Sequence, residues 1–170
     1  MKKKLAALLL AGALAVAPSY AVMAEDASAT EAPAEEKKEP VKNGSYDLKC
    51  SEDDKDEDAI KLHFSNEVRN DVTGNWRIAT LASDKSSLDF ALAYYKEFVT
   101  SKDEIHAVVN FTDNTTTKIC TAFDSDYVDV TIHNYVDGEE HDAKLLFGGD
   151  VTGEYWINIE TGEVENLADE

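Results

Sequence analysis

The chain has 170 residues, of which 35 are Asp or Glu and only 16 are Lys or Arg, so its formal net charge is −19 at pH 7. Nucleic acids and anionic lipid surfaces are bound through clustered Lys and Arg, which such a polyanion lacks, and both are excluded as partners. High charge keeps a chain dispersed in water without choosing its fold.

Residues 1–24, MKKKLAALLLAGALAVAPSYAVMA, place three lysines before an apolar run and end in small residues, with Val22 and Ala24 at the −3 and −1 positions. That order is the signature of a secretory signal peptide. The apolar run is short and alanine-rich, and acidic residues follow it, so it does not read as a membrane anchor. The expectation is a bacterial protein released outside the cytoplasmic membrane, with no membrane insertion once the leader is removed. Residues 25–43, EDASATEAPAEEKKEPVKN, carry no aromatic residue and charge throughout. Such a composition buries too little apolar surface to offset its ordering entropy, and it reads as a disordered acidic linker. Residues 44–170 then form one domain.

Strands are expected at 46–50, 59–64 and 75–81. Between the first two lies DDKDED, residues 53–58. Counting an EF-hand from Asp54 puts Asp56 and Asp58 at positions 3 and 5, but Ala59 stands where the loop needs glycine and Ser65 where it needs a bidentate glutamate. Asp54, Asp56 and Asp58 are thus candidates only for weak, diffuse binding of a divalent cation, and no resident metal or cofactor is expected. Cys50 and Cys120 are the two cysteines. A bridge between them would stabilise by roughly 4 kcal/mol in the chain-entropy account; spacing alone leaves open whether they pair or remain free thiols.

Residues 86–102, SSLDFALAYYKEFVTSK, repeat apolar side chains at helical spacing: Leu88, Ala91, Leu92, Tyr95, Phe98 and Val99. Ser86 is a capping residue with Asp89 three positions on. Beyond the helix the period changes to two. Ile105, Ala107, Val109 and Phe111 are expected inside, with His106, Val108, Asn110 and Thr112 outside. Val128, Val130, Ile132 and Val136 repeat the pattern. A three-residue loop would set Val109 opposite Ile119 and Ile105 opposite Phe123. A two-residue Asp137-Gly138 turn would pair Val136 with Glu139 and bring Ala143, Leu145 and Phe147 onto the core face. Further strands are expected at 154–159 and 164–167, joined by the ETGE turn. The predicted fold class is α+β, one amphipathic helix packed on an antiparallel meander.

In that register Asn110, Lys118, His133 and Asp142 would share the outward face, which a wetted sheet explains without chemistry. The chain has no G-x-S-x-G elbow, no HExxH and no phosphate-cradling glycine loop, so no catalytic residue is assigned. Trp156 alternates out of phase with Tyr155, Ile157 and Ile159, which makes it the candidate partner contact.

The order of strands, helix and long meander resembles the cystatin-like architecture, and INIETGEVENL (157–167) resembles the closing hairpin of PepSY-type secreted domains. The stretch NFTDNTTTKI to VDGEEHDAKLLF (110–147) is similar to an uncharacterised extracytoplasmic domain of Gram-positive bacteria. These resemblances cover about the last 100 residues, and they imply a non-enzymatic binder of an exported protein, a peptidase among the candidates. The expected function is a secreted, acidic, non-catalytic interaction module. The alternative is weak calcium binding by the acidic clusters, and an enzyme of unrecognised type ranks third.

Overall fold

Burial along IHAVVN (105–110) is nearly continuous, His106 to Asn110 all being enclosed, as in a strand covered on both faces. A computed structural model describes residues 38–39, 41–50, 58–65, 67, 75–122 and 126–169 and shows how this arises. The chain forms β1 (Gly44–Leu48), β2 (Ile60–Ser65), β3 (Trp76–Leu81), α1 (Ser87–Phe98), β4 (Ile105–Asn110), β5 (Thr115–Thr121), β6 (Tyr127–Asn134), β7 (Val151–Asn158) and β8 (Val164–Asn166). Among the described residues they make one predominantly β assembly, an eight-stranded sheet in chain order with a single α-helix.

The sheet is mixed, which corrects the expected α+β helix-on-antiparallel-meander fold and its cystatin-like form. β3 and β4 are parallel neighbours, Trp76 lying beside Ile105 and Leu81 beside Asn110, while every other pair is antiparallel. The cause is the helix itself. Twelve residues at 1.5 Å each carry the chain back about 18 Å, nearly the length of a six-residue strand, so the strand after α1 starts where β3 started. The helix is a crossover inside the strand order and does not stand between two antiparallel halves.

The registers differ as well. Asn110 lies opposite Thr115 and His106 opposite Ile119, so the β4–β5 loop is 111–114, one residue longer than expected, with Asn114 in the left-handed region at φ 58. The face toward α1 therefore carries His106, Val108 and Asn110; Ile105, Ala107 and Val109 point the other way. The expected strand at 143–147 is absent. Gly138 (φ 79) leads instead into a 3-10 turn at Glu139–His141, and β6 pairs with β7, with an irregularity between Ile132 and His133. Gly149 permits that return, since a Cβ there would lie 1.9 Å from the Asn134 carbonyl oxygen.

Two apolar clusters result. On one face α1 presses Phe90, Tyr94 and Phe98 onto Phe64, Val108, Ile119 and Val130. On the other, Leu146 of the 135–150 excursion covers Ile78 and Ala107, with Trp76 and Phe147 packed beside them at 5.6 Å between rings. Leu48 of β1 and Ile157 of β7 both belong to the helix-side cluster. Strands spaced about 4.8 Å apart would hold these two roughly 29 Å from each other in a flat sheet, far beyond the reach of one helix about 10 Å across. The sheet therefore curls around α1 and brings its first and last strands toward one another.

Candidate functional site

The apolar stripe of α1 is wider than the sheet can cover. Phe90, Ala91, Tyr94 and Phe98 are buried, whereas Leu88 and Leu92, one turn apart on the flank, stay half-buried together with Ala93. Ser86 fixes the start of this helix by accepting a hydrogen bond from the Leu88 amide at 3.2 Å. Lys96 continues the Leu88–Leu92 row one turn further on. Opposite this row stand Lys49 and Cys50 at the end of β1, and Ile157, Gly162 and Val164 at the β7–β8 turn. Between them runs a groove of about 770 Å³, a size typical of small-ligand sites. A Cβ at Gly162 would touch Leu92 at 3.6 Å, so the β7–β8 turn lies close against the helix flank there.

Among the described residues the groove's charged lining is Lys49, Lys96 and Asp89, and Lys49 is engaged in an interaction of its own.

The residues singled out from sequence are dispersed. Cys50 lines the groove, while Cys120 lies on β5 on the far face, opposite Ile105 and Asp129, and both are free thiols. Burial, with Asp129 adding to it, pushes the Cys120 thiol up to about 11. Asp54 and Asp56 lie outside the described residues. Asp58 is exposed beside Ser83 and Asp84 in a shallow depression, and among the described residues no three His, Cys, Asp or Glu side chains gather as a metal site. Trp156 is half-buried on the far face, its ring 5.8 Å from Tyr127, and takes no part in the groove.

The polar row expected outside is also taken apart. Asn110 is buried under Ser83, exchanging hydrogen bonds with its carbonyl and amide at 2.9 and 3.1 Å. Lys118 pairs with Asp129 at 3.0 Å. His133 sits under the excursion with Nδ1 3.2 Å from the Gly149 carbonyl, and Asp142 follows the 3-10 turn.

One polar network escaped the sequence. The Tyr94 hydroxyl donates to His106 Nδ1 at 2.9 Å, and His106 Nε2 donates to Glu104 Oε2 at 3.1 Å. Glu104 also accepts from the Thr100 amide and hydroxyl, at 2.9 and 2.7 Å, and meets Arg77 at 3.5 Å. Burial alone would raise the Glu104 carboxyl, but the bonds from His106 and Thr100 outweigh it and hold it at about 2. Burial drives the His106 pKa down against the pull of Glu104, and it drives that of Tyr94 up. The chain of groups imitates an acid–base relay, yet Tyr94 and His106 are wholly enclosed and none of the three lines the groove. Its role is to pin α1 to β4.

A second enclosed acid is Glu139, which accepts from the Thr116 hydroxyl and so ties the excursion to β5. No family model, characterised protein or solved structure matches the chain.

Proposed function

We propose that the protein is an exported, non-catalytic binding module and that the groove between α1, the end of β1 and the β7–β8 turn is its ligand seat. The observation that carries this reading is the helix flank. Among the described residues Leu88 and Leu92 are apolar, adjacent and half-covered, and they face a concave wall that includes Ile157 and Val164, the apolar concavity in which small ligands are usually held. The strongly shifted ionisable groups are consistent with it, since Tyr94, His106 and Glu104 bind one another inside the fold and meet no cavity. The N-terminal lysine–apolar–small pattern supports export.

The test is binding of Nile red, an uncharged apolar dye, to the purified protein and to Val164→Asp. Val164 is 48% exposed, so the substitution leaves the fold intact while placing a charge on the groove wall. Saturable fluorescence enhancement at a 1:1 ratio, lost in Val164→Asp, supports the reading. Enhancement of equal size in both proteins refutes it.

A further inference from the structure

We propose that the tip formed by the β4–β5 loop and the start of the 135–150 excursion is a second interaction surface, and that it takes an arginine side chain presented by a partner protein. Phe111, the first residue of that loop, is 50% exposed, and its ring meets that of Tyr135 edge-on at 5.8 Å. Tyr135 is held from both ends. Its amide donates to the Asn114 carbonyl at 3.0 Å, while its hydroxyl accepts from the Gly138 amide at 3.0 Å and donates to Glu140 at 2.8 Å. A fixed ring therefore props Phe111 outward with half of its surface in water. Phe111, Thr112, Asp113 and Asn114 are all exposed, so the tip projects, which suits a protein surface closing over it better than a free small molecule seeking a pocket.

The chemistry of the occupant follows from charge. Burial, and then the charges of Glu140 and Asp137, push the Tyr135 phenol up, so both carboxylates stand close to the ring pair, and Asp113 stands beside Asn114. Among the described residues none of these acids pairs with Lys or Arg. Glu140 meets His141 at 3.6 Å, Asp113 accepts from the Thr115 hydroxyl at 2.6 Å, and the Asp137 side chain makes no hydrogen bond or ion pair. The excursion carries one lysine, Lys144, against Asp137, Glu139, Glu140, Asp142 and Asp150. The Tyr127–Trp156 pair is different: both rings are half-buried, and Asp129, opposite Trp156, is neutralised by Lys118 at 3.0 Å. An open aromatic ring beside uncompensated carboxylates complements a cation with a flat apolar face. Arginine meets that description better than lysine, because a guanidinium stacks on a ring and forks onto a carboxylate, whereas an ammonium is a strongly hydrated point charge.

The experiment is an amide-spectrum titration of the isotopically labelled protein with acetylated tri-arginine amide and its tri-lysine counterpart, at about 0.15 M salt, where exposed charges are screened over about 8 Å. Saturable shifts at Phe111, Asn114, Tyr135 and Asp137 are expected, with tri-arginine the tighter ligand. Phe111→Ser leaves every charge in place and should weaken tri-arginine about threefold, the worth of one exposed cation–π contact. Asp137→Asn should weaken it about twofold. Phe111 and Asp137 are both exposed, so neither variant is expected to unfold the domain, and thermal melts of each verify this. Shifts spread over acids elsewhere on the surface, equal affinity for the two peptides, or a Phe111→Ser protein that binds as before would reduce the interaction to diffuse attraction by a polyanion and overturn the proposal. Absence of binding overturns it as well, and none of these results bears on the groove.

Discussion

The Tyr94 hydroxyl and His106 Nδ1, 2.9 Å apart and both sealed from solvent, join the only α-helix of the described residues to the strand it crosses over to reach. Removing that hydroxyl leaves a buried ring nitrogen without a donor. Tyr94→Phe should therefore cost about 1–3 kcal/mol, read as a lower urea midpoint with an unchanged slope. A loss no greater than that of Tyr127→Phe, a half-buried tyrosine on the far face, would show that the contact holds nothing.

Acid should loosen the same network in two stages. The His106 pKa in the folded chain lies below its ordinary 6.5, so the unfolded chain takes up that proton first and stability declines as the pH falls through 6.5. Glu104 is held at about 2 against an ordinary 4.5; its contribution, on the order of 3 kcal/mol, is complete above 4.5 and fades between 4.5 and about 2. Protonation elsewhere relieves the self-repulsion of a chain at −19, so the signal is the difference between the native protein and Glu104→Gln, followed by urea unfolding at pH 7.5, 5.5, 4 and 3. Parallel stability curves for the two proteins would contradict this account.

Much of the fold could be read from the chain, and what could not has identifiable causes. The helix announces itself through its 3.6-residue period and Ser86, and strand positions through alternation and turn residues. Register is another matter. His106 is an inward residue because Tyr94, from the helix, and Glu104, two residues before it, satisfy both ring nitrogens, so alternation put only one face of β4 inside where both are covered. Asp137-Gly138 followed by Ala143, Leu145 and Phe147 imitates a hairpin. In the structure Leu146 is the buried residue, while Leu145 is 39% exposed and Phe147 adopts a left-handed φ of 59. The groove was half legible. Leu88 and Leu92 stood out as an apolar row, but the opposite wall exists only because an eight-stranded sheet curls enough to bring Cys50 and Val164 to the same cleft.

Gly149 should tolerate no side chain. A Cβ at that position would sit 1.9 Å from backbone, which no rotamer change relieves, so Gly149→Ala must push β6 from the 149–150 return. A loss of at least about 2 kcal/mol in chemical denaturation is expected; a loss below about 0.5 kcal/mol, the size of an ordinary surface substitution, would be inconsistent with the β6–β7 geometry.

The cysteines should behave as unequal, unbridged thiols. Cys120, with its pKa at about 11 and its Sγ 3.6 Å from the Asp129 carboxylate, should alkylate slowly in the native protein, and Cys50 in the groove should react first. Peptide mapping after timed iodoacetamide exposure gives the order. A Cys50–Cys120 cross-link under mild oxidation would require the sheet's two faces to meet and would refute the topology.

The most direct measurement of the groove's role is a two-dimensional amide and methyl spectrum of the isotopically labelled protein titrated with Nile red. Saturable shifts confined to Leu88, Leu92, Ile157, Val164 and their neighbours, with Trp156 and Tyr127 on the far face unmoved, are predicted. Shifts centred on Trp156, or none at the helix flank while binding proceeds, would contradict it.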